Sequence, residues 1–140
     1  RRISQDGRRL IFILGSADER LAPHTLRTAK ETGALLADSL PLRRVAAILS
    51  QCAAYIGNDS GITHLAALCG APTVAIFGPT DPAVWGPVGM QVRIARGAAA
   101  CAPCSRSEMH VCRERICLES ISVEMVKEAL KQVGEVREKR

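Results

Sequence analysis

AAYIGNDSGITHLAALCGAPTVAIFG, residues 53–78, is the stretch of the chain that decides its fold. Two short apolar runs, AAYIG and TVAIFG, flank a segment with helical apolar spacing that ends at Gly70. A strand, a helix and a second strand in this order predict two parallel strands joined by a crossover helix. The polar residues NDSG (58–61) stand between the first strand and the helix, where they require an explanation.

The same alternation extends to both sides of this segment. Upstream, RLIFIL (9–14) and ALLA (34–37) are typical of short buried strands, and a helical pattern follows each of them. Downstream, QVRIA (91–95) predicts a further strand, and residues 123–133 predict a closing helix capped by Ser122. Strict alternation of strands and helices predicts an α/β fold, with one parallel sheet covered by helices on both faces.

The composition of the 140 residues, 47% apolar and 24% charged, is that of a globular domain. No apolar run is long enough to span a bilayer, and the basic, polar start RRISQDGRRL is unlike a secretory leader. We therefore expect a cytoplasmic protein.

The formal net charge of +5 favours anionic partners, such as phosphate groups or acidic membrane surfaces. A positive net charge is also compatible with peripheral association of the protein with a membrane. An aromatic content of 3% provides almost no platform for stacking bases, so we do not expect nucleic acid as a partner.

The NDSG residues lie where ligands bind in open parallel sheets, at the carboxyl end of a strand and the start of a helix. Gly61 would let the backbone approach a phosphate closely, and Ser60 would add a hydroxyl donor. Asp59 would repel a phosphate, so we expect it to cap the helix or to accept from a ligand hydroxyl. Two alternatives stay open: residues 58–60 only cap the helix, and His64 is a half-buried structural histidine.

A second polar loop, FGPTDP (77–82), follows the next strand. In a right-handed parallel sheet the carboxyl ends of neighbouring strands lie side by side, so Thr80 and Asp81 should face the same crevice as Asp59. Two polar loops at one edge favour a binding site over a catalytic triad.

The segment NDSGITHLAALCGAPTVAIFGPTDPAVWGP, residues 58–87, resembles the donor-binding motif of the ADP-heptose:lipopolysaccharide heptosyltransferases, glycosyltransferase family nine. The family pattern has Asp, Ser or Thr, Gly, two variable residues and His. A small-residue helix, Gly-x-Pro, a strand and Phe-Gly-x-Thr follow. The chain matches this pattern without a gap from Asp59 to Thr80, and looser likeness includes GSADE (15–19) and a Cys-rich tail.

This resemblance implies a GT-B enzyme, in which two Rossmann-like domains hold a nucleotide-sugar between them. The chain would be the C-terminal, donor-binding domain, a single Rossmann-like domain over residues 1–140. The full enzyme would transfer a heptose or a related sugar from an ADP-sugar to a lipopolysaccharide core acceptor, and it would need no cofactor or metal.

The resemblance also implies roles for seven residues. Ser60 and Gly61 would hold the diphosphate, and Asp59 and His64 would lie near the diphosphate and sugar. Thr80 would form the crevice wall. Two further residues fall where family members contact the ribose and the adenine, namely Glu19 and Leu40.

The family's N-terminal domain, with its catalytic carboxylate, cannot be recognised in this sequence. An inverting transfer needs a base in line with the anomeric carbon, and neither Asp59 nor Asp81 is a good candidate for it. We therefore expect no catalytic residue in this fragment and no activity from the fragment alone.

Four cysteines form the series C-x2-C-x7-C-x4-C, at Cys101, Cys104, Cys112 and Cys117. A zinc site, reduced structural thiols and disulfides are all open interpretations of this series. The other two cysteines, Cys52 and Cys69, lie in helical patterns and are expected to be buried.

Two other function classes are compatible with parts of the sequence. A nucleotide-sugar epimerase of GT-B-like fold would also bind a diphosphate at a helix start. A non-enzymatic module could use the cysteine cluster to organise a protein contact. Zinc binding without nucleotide binding would favour the second of these.

Overall fold

The computed structural model describes residues 9–138, and the chain divides into two compact units, Arg1–Val45 and Ala46–Arg140. Residues 1–8, most of the stretch in which we expect no secretory leader, lie outside the described residues. Among the described residues, no helix combines the length and the apolar character that crossing a membrane requires.

The described part of the first unit, from residue 9 onwards, has a parallel pair of strands with a helix packed against both. Strand β1 (Ile11–Leu14) pairs with β2 (Leu35–Asp38), and helix α1 (Ala22–Thr32) lies between them in sequence. The helix ends at Gly33, whose left-handed backbone (φ 66°) lets its N–H donate to the carbonyl of Ala29. Helix α2 (Leu42–Leu49) follows β2 and runs across the boundary between the units.

The second unit is built on a three-stranded parallel sheet of order β3-β4-β5. Its strands are β3 (Tyr55–Asn58), β4 (Thr73–Phe77) and β5 (Val92–Arg96). The β4 strand, TVAIF, is apolar along most of its length, and alternate residues that point to opposite faces, Val74 and Ala75, are both fully buried. A central strand buried on both faces is the pattern that the apolar run predicts.

Besides the end of α2, the described part of the second unit contains five helices. They are α3 (Gly61–Leu68), α4 (Pro82–Trp85), α5 (Arg106–Val111), α6 (Ile116–Glu119) and α7 (Val123–Glu138). The α3 helix packs on β3 and β4, and α7 packs on β4 and β5. Val133 of α7 joins Val74 and Ala95 in the core, and the Ser122 hydroxyl caps α7 by accepting from the N–H of Met125 at 3.1 Å, as the sequence predicts.

The structure differs from the sequence prediction in how the strands are partitioned. Within residues 9–138 the strands form two hydrogen-bonded sheets, β1-β2 and β3-β4-β5, where the alternation predicted one. Apolar periodicity marks a strand, but it does not encode which strand becomes its hydrogen-bonding partner. The Pro- and Gly-rich segment after β4 also contains α4, because Asp81 and Pro82 provide a helix start there.

Candidate functional site

Helix α3 begins at the carboxyl edge of the three-stranded sheet, two residues after β3. Ser60 is its N-cap residue, with an extended backbone (φ −159°, ψ 159°), but the Ser60 side chain accepts no hydrogen bond from the helix. Within the described range 9–138, the N–H groups of Gly61 and Ile62 have no hydrogen-bond partner. Such groups, with the partial positive charge of a helix N-terminus, bind anions. Capping alone therefore does not account for Ser60.

The first turn of α3 is anchored to β3 by a buried hydroxyl, that of Thr63. This side chain is fully buried, and its Oγ1 donates to the carbonyl of Asn58 while lying 3.2 Å from the Oγ of Ser60. A Cβ atom at Gly57 would lie 2.6 Å from Cε1 of Tyr55 and 2.7 Å from the same Thr63 oxygen, so a larger residue there would displace these side chains. Sequence reasoning missed Thr63; its signal is a hydroxyl on the first turn of an otherwise apolar helix.

Gly61 lies at the exposed start of α3. A Cβ atom built there would meet no other atom within 4 Å, and the backbone does not have the positive φ that favours glycine. Neither packing nor backbone conformation within the described residues requires glycine at this position. The space above Gly61 is therefore open to a ligand, and close approach of a ligand to its backbone stays a prediction.

Asp59 and Thr80 connect the two polar loops. The Thr80 hydroxyl donates to Oδ2 of Asp59 at 2.7 Å, although the residues are 21 positions apart in sequence. The backbone N–H of Asp59 also donates to the carbonyl of Ile76 at 3.0 Å, which holds the loop at the edge of β4. The structure therefore brings together the two loops that the sequence placed at one edge.

The Asp81 carboxylate has a structural role. Its Oδ1 accepts from the backbone N–H of Ala83 at 3.0 Å, and this contact caps α4. His64 is half-buried on the first turn of α3, and its backbone N–H donates to the carbonyl of Ser60 at 3.3 Å. No partner for its imidazole is found in the part of the chain that the structure describes.

Glu19 and Leu40 lie in the first unit, near the carboxyl ends of its two strands. Glu19 lines a cavity of about 210 Å³ together with Asp18, Asp38 and Ser39. The Ser39 N–H donates to the carbonyl of Leu14 at 3.0 Å, and the Ser39 hydroxyl donates to Asp38 at 2.9 Å. Leu40 follows Ser39 and does not line the cavity. A role for either residue in binding a nucleoside stays a prediction.

The sequence profile described as "Glycosyltransferase family 9 (heptosyltransferase)" matches residues 1–113. The chain belongs to glycosyltransferase family 9. It is 37% identical over 90 residues to lipopolysaccharide heptosyltransferase 1 of Pseudomonas aeruginosa, covering 64% of this chain and 25% of that protein. It is 28% identical over 135 residues to lipooligosaccharide heptosyltransferase 2 of Campylobacter jejuni serotype O:6, covering 94% of this chain and 42% of that protein.

Two solved structures share the fold of this family 9 chain. The family 9 glycosyltransferase of Veillonella parvula superimposes with a TM-score of 0.80 at 24% identity, over 96% of this chain and 39% of that one. The ADP-heptose lps heptosyltransferase II of E. coli superimposes with a TM-score of 0.69 at 19% identity, over 99% and 40% of the two chains. The Rossmann-like α/β fold is thereby confirmed, and the chain spans well under half the length of these proteins.

The family 9 chain has a second cavity, of about 230 Å³, in its Cys-rich segment. Its lining includes four cysteines, namely Cys101, Cys104, Cys112 and Cys117. Cys117 is buried, Cys104 is half-buried and the other two are exposed; no disulfide joins them in the described residues. Over the same residues, no three metal-binding side chains converge as a preformed site.

The pKa of the Cys104 thiol depends on its burial and on the charges around the cavity. Burial is the first cause that raises the pKa of Cys104, and Cys101, Glu108, Cys117 and Cys112 raise it further through charge repulsion. The expectation for the remaining two cysteines was wrong. Both are half-buried: Cys69 directly follows the last residue of α3, and Cys52 lies three residues beyond the end of α2.

Proposed function

We propose that this chain is the donor-binding domain of a glycosyltransferase that transfers a heptose or a related sugar from an ADP-sugar to a lipopolysaccharide core acceptor. Family membership supports sugar transfer and favours it over the epimerase alternative. The observation that carries the donor role is the unpaired N-terminus of α3, beside the Asp59–Thr80 pair at the carboxyl edge of a parallel sheet.

The donor diphosphate is the group that the start of α3 fits best. The N–H groups of Gly61 and Ile62 supply donors, and the open space over Gly61 admits a phosphate. The Ser60 hydroxyl would add a donor by turning from Thr63 towards the phosphate. The helix dipole contributes about 0.3–1 kcal/mol to binding an anion, in addition to the hydrogen bonds. His64, one turn into the helix, is proposed to lie near the diphosphate and the sugar.

Asp59 is proposed to bind a hydroxyl of the donor rather than its phosphates. Its Oδ2 accepts from Thr80, so the carboxylate is oriented, and Oδ1 has lone pairs with which to accept from a sugar hydroxyl. Repulsion between the carboxylate and the diphosphate would favour this division of roles. For the nucleoside, we keep Glu19 as the proposed ribose contact and Leu40 as the proposed adenine contact.

The lipopolysaccharide acceptor and the cytoplasmic location of the complete enzyme are also proposed. The Pseudomonas aeruginosa and Campylobacter jejuni relatives are heptosyltransferases of lipopolysaccharide and lipooligosaccharide, and this chain spans only 25% of the first of them. We propose that the complete enzyme acts in the cytoplasm, that it includes a further N-terminal domain, and that it meets its acceptor at the membrane surface. The net charge of +5 is suited to such a surface.

Calorimetric titration of ADP, with UDP for comparison, tests the donor role. Gly61→Asp places a carboxylate where the phosphate should lie, and we expect it to abolish ADP binding while the circular dichroism spectrum is retained. Gly134→Asp is the matched control, because a Cβ at Gly134 in α7 also meets no atom within 4 Å. This control should bind ADP like the wild type. Equal ADP affinity for the wild type and a folded Gly61→Asp variant would refute the phosphate site.

A further inference from the structure

We propose that Cys101, Cys104, Cys112 and Cys117 bind one Zn²⁺ ion through four thiolates. The four thiols line one cavity of about 230 Å³, although they come from a loop, the end of α5 and the interior of α6. Four thiolates around Zn²⁺ form a tetrahedral structural site with no open position. This assignment makes the site structural and keeps it outside the sugar-transfer chemistry.

The segment that carries these cysteines has little apolar core. Between positions 101 and 119 Cys117 alone is buried, and the side chains of Val111 and Ile116 are 76% and 49% exposed. Its two helices contain six and four residues, too few for stable helices without tertiary support. Small segments of this kind are commonly stabilised by a bound metal, whose binding free energy then contributes to folding.

A divalent cation in this cavity would bind the cysteines as thiolates. Each coordinating thiol would release its proton to solvent, and the metal would neutralise the resulting negative charges.

Zinc binding requires a local rearrangement. No preformed metal-binding group occurs in residues 9–138, so the thiols must close on the ion to reach Zn–S distances of about 2.3 Å. The segment can move in this way because it consists of short helices and loops with mostly exposed side chains.

The cysteine segment contacts the loop that carries Thr80. The N–H of Cys104 donates to the carbonyl of Pro79 at 2.8 Å, and a Cβ at Gly78 would lie 2.6 Å from Cδ2 of Leu118. A zinc ion that holds Cys104 and Cys117 together would therefore also stabilise residues 78–80. The proposed zinc site would therefore limit the movement of the loop that carries Thr80.

Metal titration of the full 140-residue chain tests the proposal. The chain is purified under reducing conditions, stripped with a chelator and titrated with Co²⁺ and then with Zn²⁺. We expect thiolate-to-cobalt charge-transfer absorption that saturates at one Co²⁺ per chain and is lost when one Zn²⁺ displaces it. Cys101→Ser and Cys117→Ser should each lower the intensity of this absorption and weaken Co²⁺ binding, whereas the Cys52→Ser/Cys69→Ser double variant should match the wild type.

The wild-type titration is decisive even if a variant fails to fold. Absence of the charge-transfer absorption from the reduced wild-type chain would overturn the proposal, as would wild-type intensity and wild-type Co²⁺ affinity in Cys101→Ser and Cys117→Ser. Iron with acid-labile sulfide in the freshly purified protein, or disulfides among the four cysteines that persist under reduction, would also overturn it. The readout needs no nucleotide, so it is independent of the proposed donor role.

Discussion

At the residue scale, the start of α3 depends on a few hydroxyl and glycine positions. Thr63 is fully buried and bonds the end of β3 to the first turn of the helix, and Gly57 leaves the space that its hydroxyl needs. Thr80 orients Asp59 from the neighbouring loop. These contacts position the groups that we propose to bind the donor, and Thr63 is a positioning residue that needs no contact with the ligand.

Replacement of Thr63 by valine keeps the shape of the side chain and removes its hydroxyl. The carbonyl of Asn58 loses its donor, so we expect the free energy of unfolding to fall by about 1–3 kcal/mol. Urea unfolding followed by circular dichroism measures the change. Thr28→Val is the control, because its hydroxyl donates to the carbonyl of His24 at an exposed site, and we expect a change within about 0.5 kcal/mol. Equal losses for the two variants would contradict the anchoring role.

At the element scale, the start of α3 differs from the starts of α4 and α5. Asp81 caps α4 and Ser105 caps α5 with their side chains, whereas Ser60 leaves the first N–H groups of α3 without a partner in the described residues. Side-chain caps satisfy the N–H groups that a helix start leaves unpaired, and a helix start without one has them available for an anion. The contrast sets α3 apart from α4 and α5, although the four-residue helix α6 also begins without a side-chain cap.

Ser105 and Glu108 form a capping box at the start of α5, in which each side chain accepts from the backbone N–H of the other residue. This arrangement predicts that the stability of the protein depends on pH. Hydrogen bonds from the side chain and backbone of Ser105 lower the pKa of Glu108, although desolvation opposes them. Because the folded-state pKa is depressed, the stabilisation is present above the unfolded-state pKa of glutamate, about 4.3, and is lost as the pH falls through the folded-state value. We therefore expect Glu108→Ala to lower Tm at pH 7.

The same Tm difference should shrink as the pH falls below about 4.3, because protonated Glu108 loses the charge that strengthens its cap. Glu114→Ala, in the same segment but outside the capping box, is the control and should show no comparable narrowing. If the Tm difference for Glu108→Ala stayed constant from pH 7 to acid pH, the charge of the Glu108 carboxylate would not contribute to the stability of the helix cap.

At the scale of the whole molecule, the acids of the candidate site explain why we expect binding without catalysis. Asp59 accepts from the Thr80 hydroxyl and Asp81 caps α4, and we propose that neither acts as the base for an acceptor hydroxyl. Related heptosyltransferases are longer proteins, of which this chain spans 25% to 42% in the two relatives described above. The base is therefore proposed to lie in a part of the enzyme beyond these residues.

We expect the 140-residue chain to bind ADP and to transfer no sugar. The measurement is release of ADP from an ADP-heptose donor in the presence of lipopolysaccharide core acceptor. If the proposed N-terminal domain supplies the base, its addition as a separately expressed protein should restore transfer. Transfer by the 140-residue chain alone, abolished in Asp59→Asn, would show that a base is present in this domain.

The sequence by itself determined the strands, the main helices, the α/β class and the family. Apolar spacing and capping residues act within a few positions, and the motif from Asp59 to Thr80 is contiguous. Only the tertiary structure decided which strands pair, that Thr80 donates to Asp59, and that four cysteines surround one cavity. It also identified Thr63 as the anchor of α3 and showed that Ser60 does not cap the helix with its side chain. These contacts depend on the distances between elements after folding, which local periodicity does not encode.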